Sequence, residues 1–268
     1  MIMTRGLQRA TFNRSALVRV LSDTLPEATD PKYDFGERLG QWLDFSDALT
    51  LFSVLNTEAG SGAPMPAGNS DLPAQLARLR RNLGASIDND GVFNRDPAAN
   101  PAHIPARIPF PTPLPNATPE SAADFSPYHR YYLAHQRDMN ATITALRANA
   151  RKALAGQSAA GRQLAELDAT FEKFLSARER NLLANIPIML SKHFNRRYAE
   201  HRAALADLSA DDPATWTQPG SWLEAFCHDA RTVLLAELEL RLKPVAGLIA
   251  ALPAVPGSAS ETKETKAP

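Results

Sequence analysis

From Ser126 to Leu252 apolar residues recur at three- and four-residue steps with little interruption, and this pattern limits the chain more than any other feature. Residues three and four apart share one face of an α-helix, so such a run specifies helices that bury a stripe. The first pattern opens at Ser126-Pro127, a serine N-cap with proline at the first helical position. It carries Tyr132, Met139, Ile143, Leu146 and Leu154 to about Ala155, and Gly156 supplies a stop. The second runs from near Ser158 to Leu208. Leu164, Leu167, Phe171, Phe174, Leu175, Leu182, Ile186, Leu190, Phe194, Tyr198, Leu205 and Leu208 keep nearly heptad, coiled-coil-like steps along it. The third begins at Ser221-Trp222-Leu223-Glu224, a capping-box pattern, and continues through Phe226, Leu234, Leu238, Leu242, Val245 and Ile249 to Leu252.

At 1.5 Å per residue these three would span about 44, 75 and 46 Å. Pro187 lies near the middle of the longest and is predicted to kink or break it. The lengths predict an all-α, elongated bundle of long antiparallel helices. The first helix pairs with the part before Pro187 and the third with the part after it, and Pro244 bends the third.

Proline sets the boundaries upstream. Nine of the 21 prolines fall between Val92 and Pro127. Each lacks an amide donor and pushes the residue before it toward extended geometry, so 92–126 reads as an extended proline-rich linker. Residues 1–91 read as a smaller N-terminal helical region, with helices over Ser15–Asp23, Asp34–Asn56 and Leu72–Ile87. Its Gly-, Pro- and Ser-rich stretch 59–70 is predicted to be a mobile loop. The bundle then occupies 127–252 and a polar, disordered tail 253–268.

Charge and cysteine usage narrow the class. Lys plus Arg and Asp plus Glu number 29 each among 268 residues, which disfavours a whole-chain polyanion binder. One cysteine, Cys227, excludes an internal disulfide framework and a cysteine-based zinc cluster. No apolar run approaches the ~20 residues of a membrane span. Met1 to Arg19 lack a secretory apolar block, so the cytoplasm is the expected compartment.

Catalytic patterns are missing. There is no phosphate-cradling glycine loop and no HExxH helix, and His193 and His201 lie about 12 Å apart along a helix axis. Ser86-x-Asp88-x-Asp90-Gly91 resembles the start of a calcium loop, but its first position is serine and its twelfth is Pro97. Cys227 and His228 are neighbours that point about 100° apart on a helix and make no dyad. The expectation is a protein with no catalytic residues, cofactor, metal or small-molecule substrate.

Two surfaces remain. The aromatics Trp42, Tyr131, Tyr132 and Trp222 are candidate anchors for a protein partner or a second copy, since large rings concentrate interface energy. Lys192, Arg196, Arg197 and Arg202 form a candidate basic patch around His193, Phe194 and Tyr198, within a 126–208 stretch holding 13 basic and seven acidic residues. Such a mix suits phosphates and stacked bases, although the same aromatics also fit the apolar stripe. Nucleic-acid binding is therefore the alternative to a helical interaction or adaptor role, and the less expected one.

Several strings resemble an uncharacterised proteobacterial domain-of-unknown-function family. They are Ala16-Leu17-Val18-Arg19-Val20-Leu21, the run from Arg38 through Gln41-Trp42-Leu43-Asp44-Phe45 to Ala48, and Asp124-Phe125-Ser126-Pro127-Tyr128. Further ones are Ala177-Arg178-Glu179, Leu190-Ser191-Lys192-His193-Phe194, Val233 through Glu237-Leu238-Glu239 to Arg241, and Pro244-Val245. The similarity spans about Ser15 to Leu252, with gaps over 59–70 and the linker. It brings no catalytic residues. Members of that family are often encoded beside MotA-like and OmpA-like envelope proteins, so the resemblance implies a cytoplasmic accessory of a membrane complex.

Overall fold

The computed structural model describes residues 15–25, 42, 44–56, 71–88, 108–114, 116–205 and 211–253, and among these the chain is helical with no strand. The predicted loop 59–70, the tail beyond Pro253 and the linker up to residue 107 lie outside them, as does the start of the Asp34–Asn56 pattern. The helices are α1 Ala16–Thr24, α2 Phe45–Asn56, α3 Leu72–Asp88, the one-turn α4 Pro119–Ala122, and α5 Ser126–Gln157. They continue as α6 Ala159–Leu183, α7 Asn185–Ala204 and α8 Trp222–Ala250, with a 3-10 turn Pro213–Thr215 before α8.

The last helix is the axis of the core. Val233, Leu234, Ala236, Glu237 and Leu238 are all buried, so the middle of α8 buries more than one face, while Thr232 and Lys243 stay exposed. It packs against α1, α3, α5 and α7. Leu17 of α1, and Leu72, Leu83 and Ile87 of α3, belong to the same core. The N-terminal helices are thus built onto the long helices, and the third pattern pairs with far more than the part after Pro187.

Local chemistry sets the helix ends, with corrections. Helix α5 starts at Ser126, so Ser126 is not its cap; Asp124 Oδ1 accepts from the Ser126 amide at 2.9 Å and from its hydroxyl at 2.7 Å. Those bonds hold the Asp124 carboxyl below its ordinary range. Ser158 ends α5 and starts α6, its hydroxyl accepting from the Gly161 amide at 2.9 Å. Gly161 is obligatory because a Cβ there would run into the Leu154 carbonyl. The capping box of α8 forms in shifted register: Ser221 Oγ accepts from the Glu224 amide, while Glu224 Oε2 accepts from Gly220 rather than Ser221. Helix α8 runs continuously through Pro244.

The long middle pattern breaks at Ala184, three residues before Pro187. A proline ring clashes with the carbonyl four residues earlier and offers it no amide, and that carbonyl belongs to Leu183. The expected linker also departs from a plain spacer. Phe110 is buried edge-on to Tyr131, with ring centroids 4.8 Å apart, and Thr118 caps the turn of α4.

Candidate functional site

Three of the four candidate anchor rings are spent inside the fold. Tyr131 packs between Phe110 and His135, and Trp222 against Phe194, Tyr198 and Trp216 at 5.0–5.4 Å. Tyr132 is 2% exposed. Helix periodicity brought these rings to the core face and thereby removed them from solvent. Trp42 alone is partly exposed, with the Arg178 guanidinium 5.9 Å from its ring centroid and donating to its carbonyl at 3.0 Å. Trp216, which periodicity did not select because it sits on a turn, is 1% exposed and completes the cluster at the start of α8.

Tyr132 belongs to a buried polar network. Its hydroxyl donates to Glu237 Oε2 at 2.8 Å, and Arg241 donates to Glu237 Oε1 at 2.8 Å. Gln136 Nε2 donates to both Glu237 oxygens at 3.1 Å and to the Leu183 carbonyl at 3.2 Å. An amide nitrogen has two hydrogens, so one serves each side. Gln136 therefore supplies the donor that Pro187 withholds from Leu183. Burial, then the Glu237 charge, pushes the Tyr132 phenol well above its ordinary value. Glu237 is fully buried, and such a carboxylate persists only when paired and hydrogen-bonded. The network ties the α6–α7 break to α5 and α8.

The basic patch is largely neutralised from within. Arg197 donates to Asp229 at 2.7 Å, and His193 Nε2 lies 2.7 Å from the same oxygen. Burial would raise the Asp229 carboxyl, but the His193 bond and the Arg197 charge outweigh it and hold it low. Arg196 reaches His193 Nδ1 at 2.8 Å and Glu200 at 3.8 Å. Arg202 reaches Tyr198 at 3.2 Å and Glu120 at 3.4 Å. Lys192 is exposed beside a groove of about 540 Å³ lined also by Asp124, Ser126, His129, Ile188 and Asn195. The positive end of α5 opens there, yet Asp124 already occupies it with a carboxylate. No group of three or more His, Cys, Asp or Glu side chains among the described residues could hold a metal, and no helix among them is long and apolar enough to cross a membrane.

Helix α2 presents the other surface. Leu51 and Val54 turn inward on the side packed against α6, where Gln163 donates to the Val54 and Leu55 carbonyls at 3.3 and 3.0 Å. Its outer face carries Phe45, Leu49, Phe52 and Leu55, exposed by 80%, 52%, 64% and 56%. With exposed Ala48 these form a stripe about 120° wide at 3.6 residues per turn. Its signal was present in the sequence as two apolar faces on one short helix, but spacing alone assigns both to a core. Two of the helix's polar side chains bond to its own backbone, Thr50 donating to the Ser46 carbonyl at 2.9 Å and Asn56, at its end, to the Phe52 carbonyl at 2.8 Å. Asp47 receives from Asp44, and Asp44 from Asp47, at the start of the helix. Contiguous exposed apolar stripes of this kind mark interaction sites.

Among the described residues these features define an all-helical chain whose polar clusters are hydrogen-bonded within the fold and which exposes an apolar stripe on one face of a short helix. A family model described as "Protein of unknown function (DUF3348)" matches residues 3–254, and the chain belongs to that family. No curated protein and no solved structure matches it.

Proposed function

We propose that this is a non-enzymatic helical interaction or adaptor protein that works by displaying α2 on a rigid bundle. The observation that carries the reading is the outer stripe of α2, four large apolar side chains each more than half exposed. A soluble chain gains nothing by keeping such a face in water, whereas a partner that covers it does. The bundle itself is antiparallel and elongated, a reading supported by the single-residue turn at Ser158 and the ion pairs Arg147–Asp168 and Arg151–Glu172 between α5 and α6.

The resemblance to a proteobacterial family encoded beside MotA-like and OmpA-like proteins supports a cytoplasmic accessory of an envelope complex. Nucleic-acid binding draws less support, because Arg196, Arg197 and Arg202 each have an acidic partner within the chain. Crosslinking mass spectrometry on the endogenous protein tests the reading: crosslinks from the α2 neighbourhood to a stoichiometric protein are expected. Recovery of no such protein, together with a monomer in solution, overturns it. A salt-sensitive shift of single- or double-stranded probes would restore the alternative.

A further inference from the structure

We propose that the α2 stripe is a self-complementary interface, and that its occupant is the same stripe on a second copy of this chain, packed antiparallel about a two-fold axis. The inference rests on the reading of α2 as an interaction surface and names its partner.

The order of the side chains carries the argument. Along the stripe the residues run Phe45, Leu49, Phe52, Leu55. Reversed, the same stripe runs Leu, Phe, Leu, Phe. When two copies lie antiparallel with their midpoints near residue 50 in register, Phe45 faces Leu55 and Leu49 faces Phe52, so every ring meets an aliphatic side chain. A two-fold interface requires that residue i meets j and j meets i, and this stripe satisfies that twice over. Ala48 lies beside the ridge and leaves room for the opposite rings to settle, as ridge-into-groove packing needs.

Electrostatics points the same way. The only charged side chain in α2 is Asp47, on the side turned toward α6, so no like charges meet when the stripe faces itself. Thr50 and Asn56 each donate a hydrogen bond within their own helix. Antiparallel alignment also places opposite helix-dipole ends together. A partner selected by charge, such as a polyanion or a basic peptide, finds nothing to read here.

The area suffices. At the exposures above, the four side chains offer roughly 500 Å² per copy, given ordinary side-chain sizes. Doubled, this reaches about 1,000 Å², near the lower bound for specific association, and implies a reversible dimer.

Light scattering on the full chain, across a concentration series, reads the result. Wild type is expected to move toward twice 29.2 kDa as concentration rises. Leu49→Lys and Phe52→Glu alter exposed side chains, so each should keep the helical circular dichroism of wild type, and its melting temperature at concentrations where wild type is monomeric, while staying at 29.2 kDa. An equimolar mixture of the two variants should recover the doubled mass, because position 49 of one copy faces position 52 of the other. A monomeric wild type at all concentrations, or a dimer that both variants retain, overturns the proposal. Monomeric single variants whose mixture does not recover the doubled mass overturn the register. If wild type is monomeric yet crosslinks through α2 to one defined cellular protein, the self-pairing fails while the interaction role stands. If neither occurs, both fail.

Discussion

If Gln136 replaces the amide that Pro187 lacks, restoring that amide should make Gln136 less necessary. Gln136→Leu removes one hydrogen bond to the Leu183 carbonyl and one to the buried Glu237 carboxylate. An unsatisfied buried carbonyl costs about 1–3 kcal/mol, and a bond to a charged group is worth about 1.5–3 kcal/mol. Gln136 is only partly buried, so water recovers some of this, and the expected loss is about 3 kcal/mol. Pro187→Ala gives residue 187 an N–H four residues beyond Leu183. Ala184 already has helical angles, φ −65° and ψ −18°, so α6 and α7 can join with little rearrangement. In that background Gln136→Leu should cost only the Glu237 part, a coupling of about 1–1.5 kcal/mol between positions 136 and 187. Urea unfolding of wild type, the two single variants and the double variant measures it. Additivity within about 0.5 kcal/mol, the scatter for independent sites, would refute the substitution of side chain for backbone.

Other perturbations test neighbouring claims. Burial pulls the His135 imidazole down to about 4, against an ordinary value of 6.5. Between those values the unfolded chain binds the proton and the folded chain does not, so stability falls as pH drops from 6.5 toward 4, by about 3 kcal/mol in all. His135→Leu should flatten that slope in melting curves taken across the window; an unchanged slope rejects the assignment. Gly161→Ala should destabilise by about 1 kcal/mol or more in thermal melts, although helix propensity alone predicts a gain of about that size, so the sign separates steric clash from propensity. Asp229→Ala should cost about 2 kcal/mol, because it strands the Arg197 guanidinium and His193 in a half-buried site. Glu120→Ala, whose pairing with Arg202 is at the surface, should change denaturant midpoints by less than about 0.5 kcal/mol.

The helices themselves were readable from the residues. Apolar spacing placed α1, α3, α5 and α8 within a few positions of where they lie, because backbone hydrogen bonds within a helix are local and the stripe records its buried face. Ser221 and Glu224 marked the start of α8 for the same reason. Pro187 announced a break in the middle pattern, since a missing amide is a property of one residue. Even the exposed stripe of α2 was spelled out, as Leu49, Phe52 and Leu55 at helical spacing.

What spacing leaves open is which neighbour each stripe finds. Phe45 and Phe226 are equally apolar, but one is 80% exposed and the other 1%, and only the docking of α2 on α6 and of four helices around α8 separates them. Arg197 and Asp229 are 32 positions apart, and Gln136 and Glu237 are 101 apart. Their meeting turns a basic patch into a neutral one and a proline break into a satisfied junction. Local hydrogen bonding and side-chain period depend on residues within a turn of one another, so the sequence alone determined the helices and the break at Pro187, though not every cap. Burial, charge pairing and the face left to solvent depend on residues distant in the chain, and only the tertiary structure decided those.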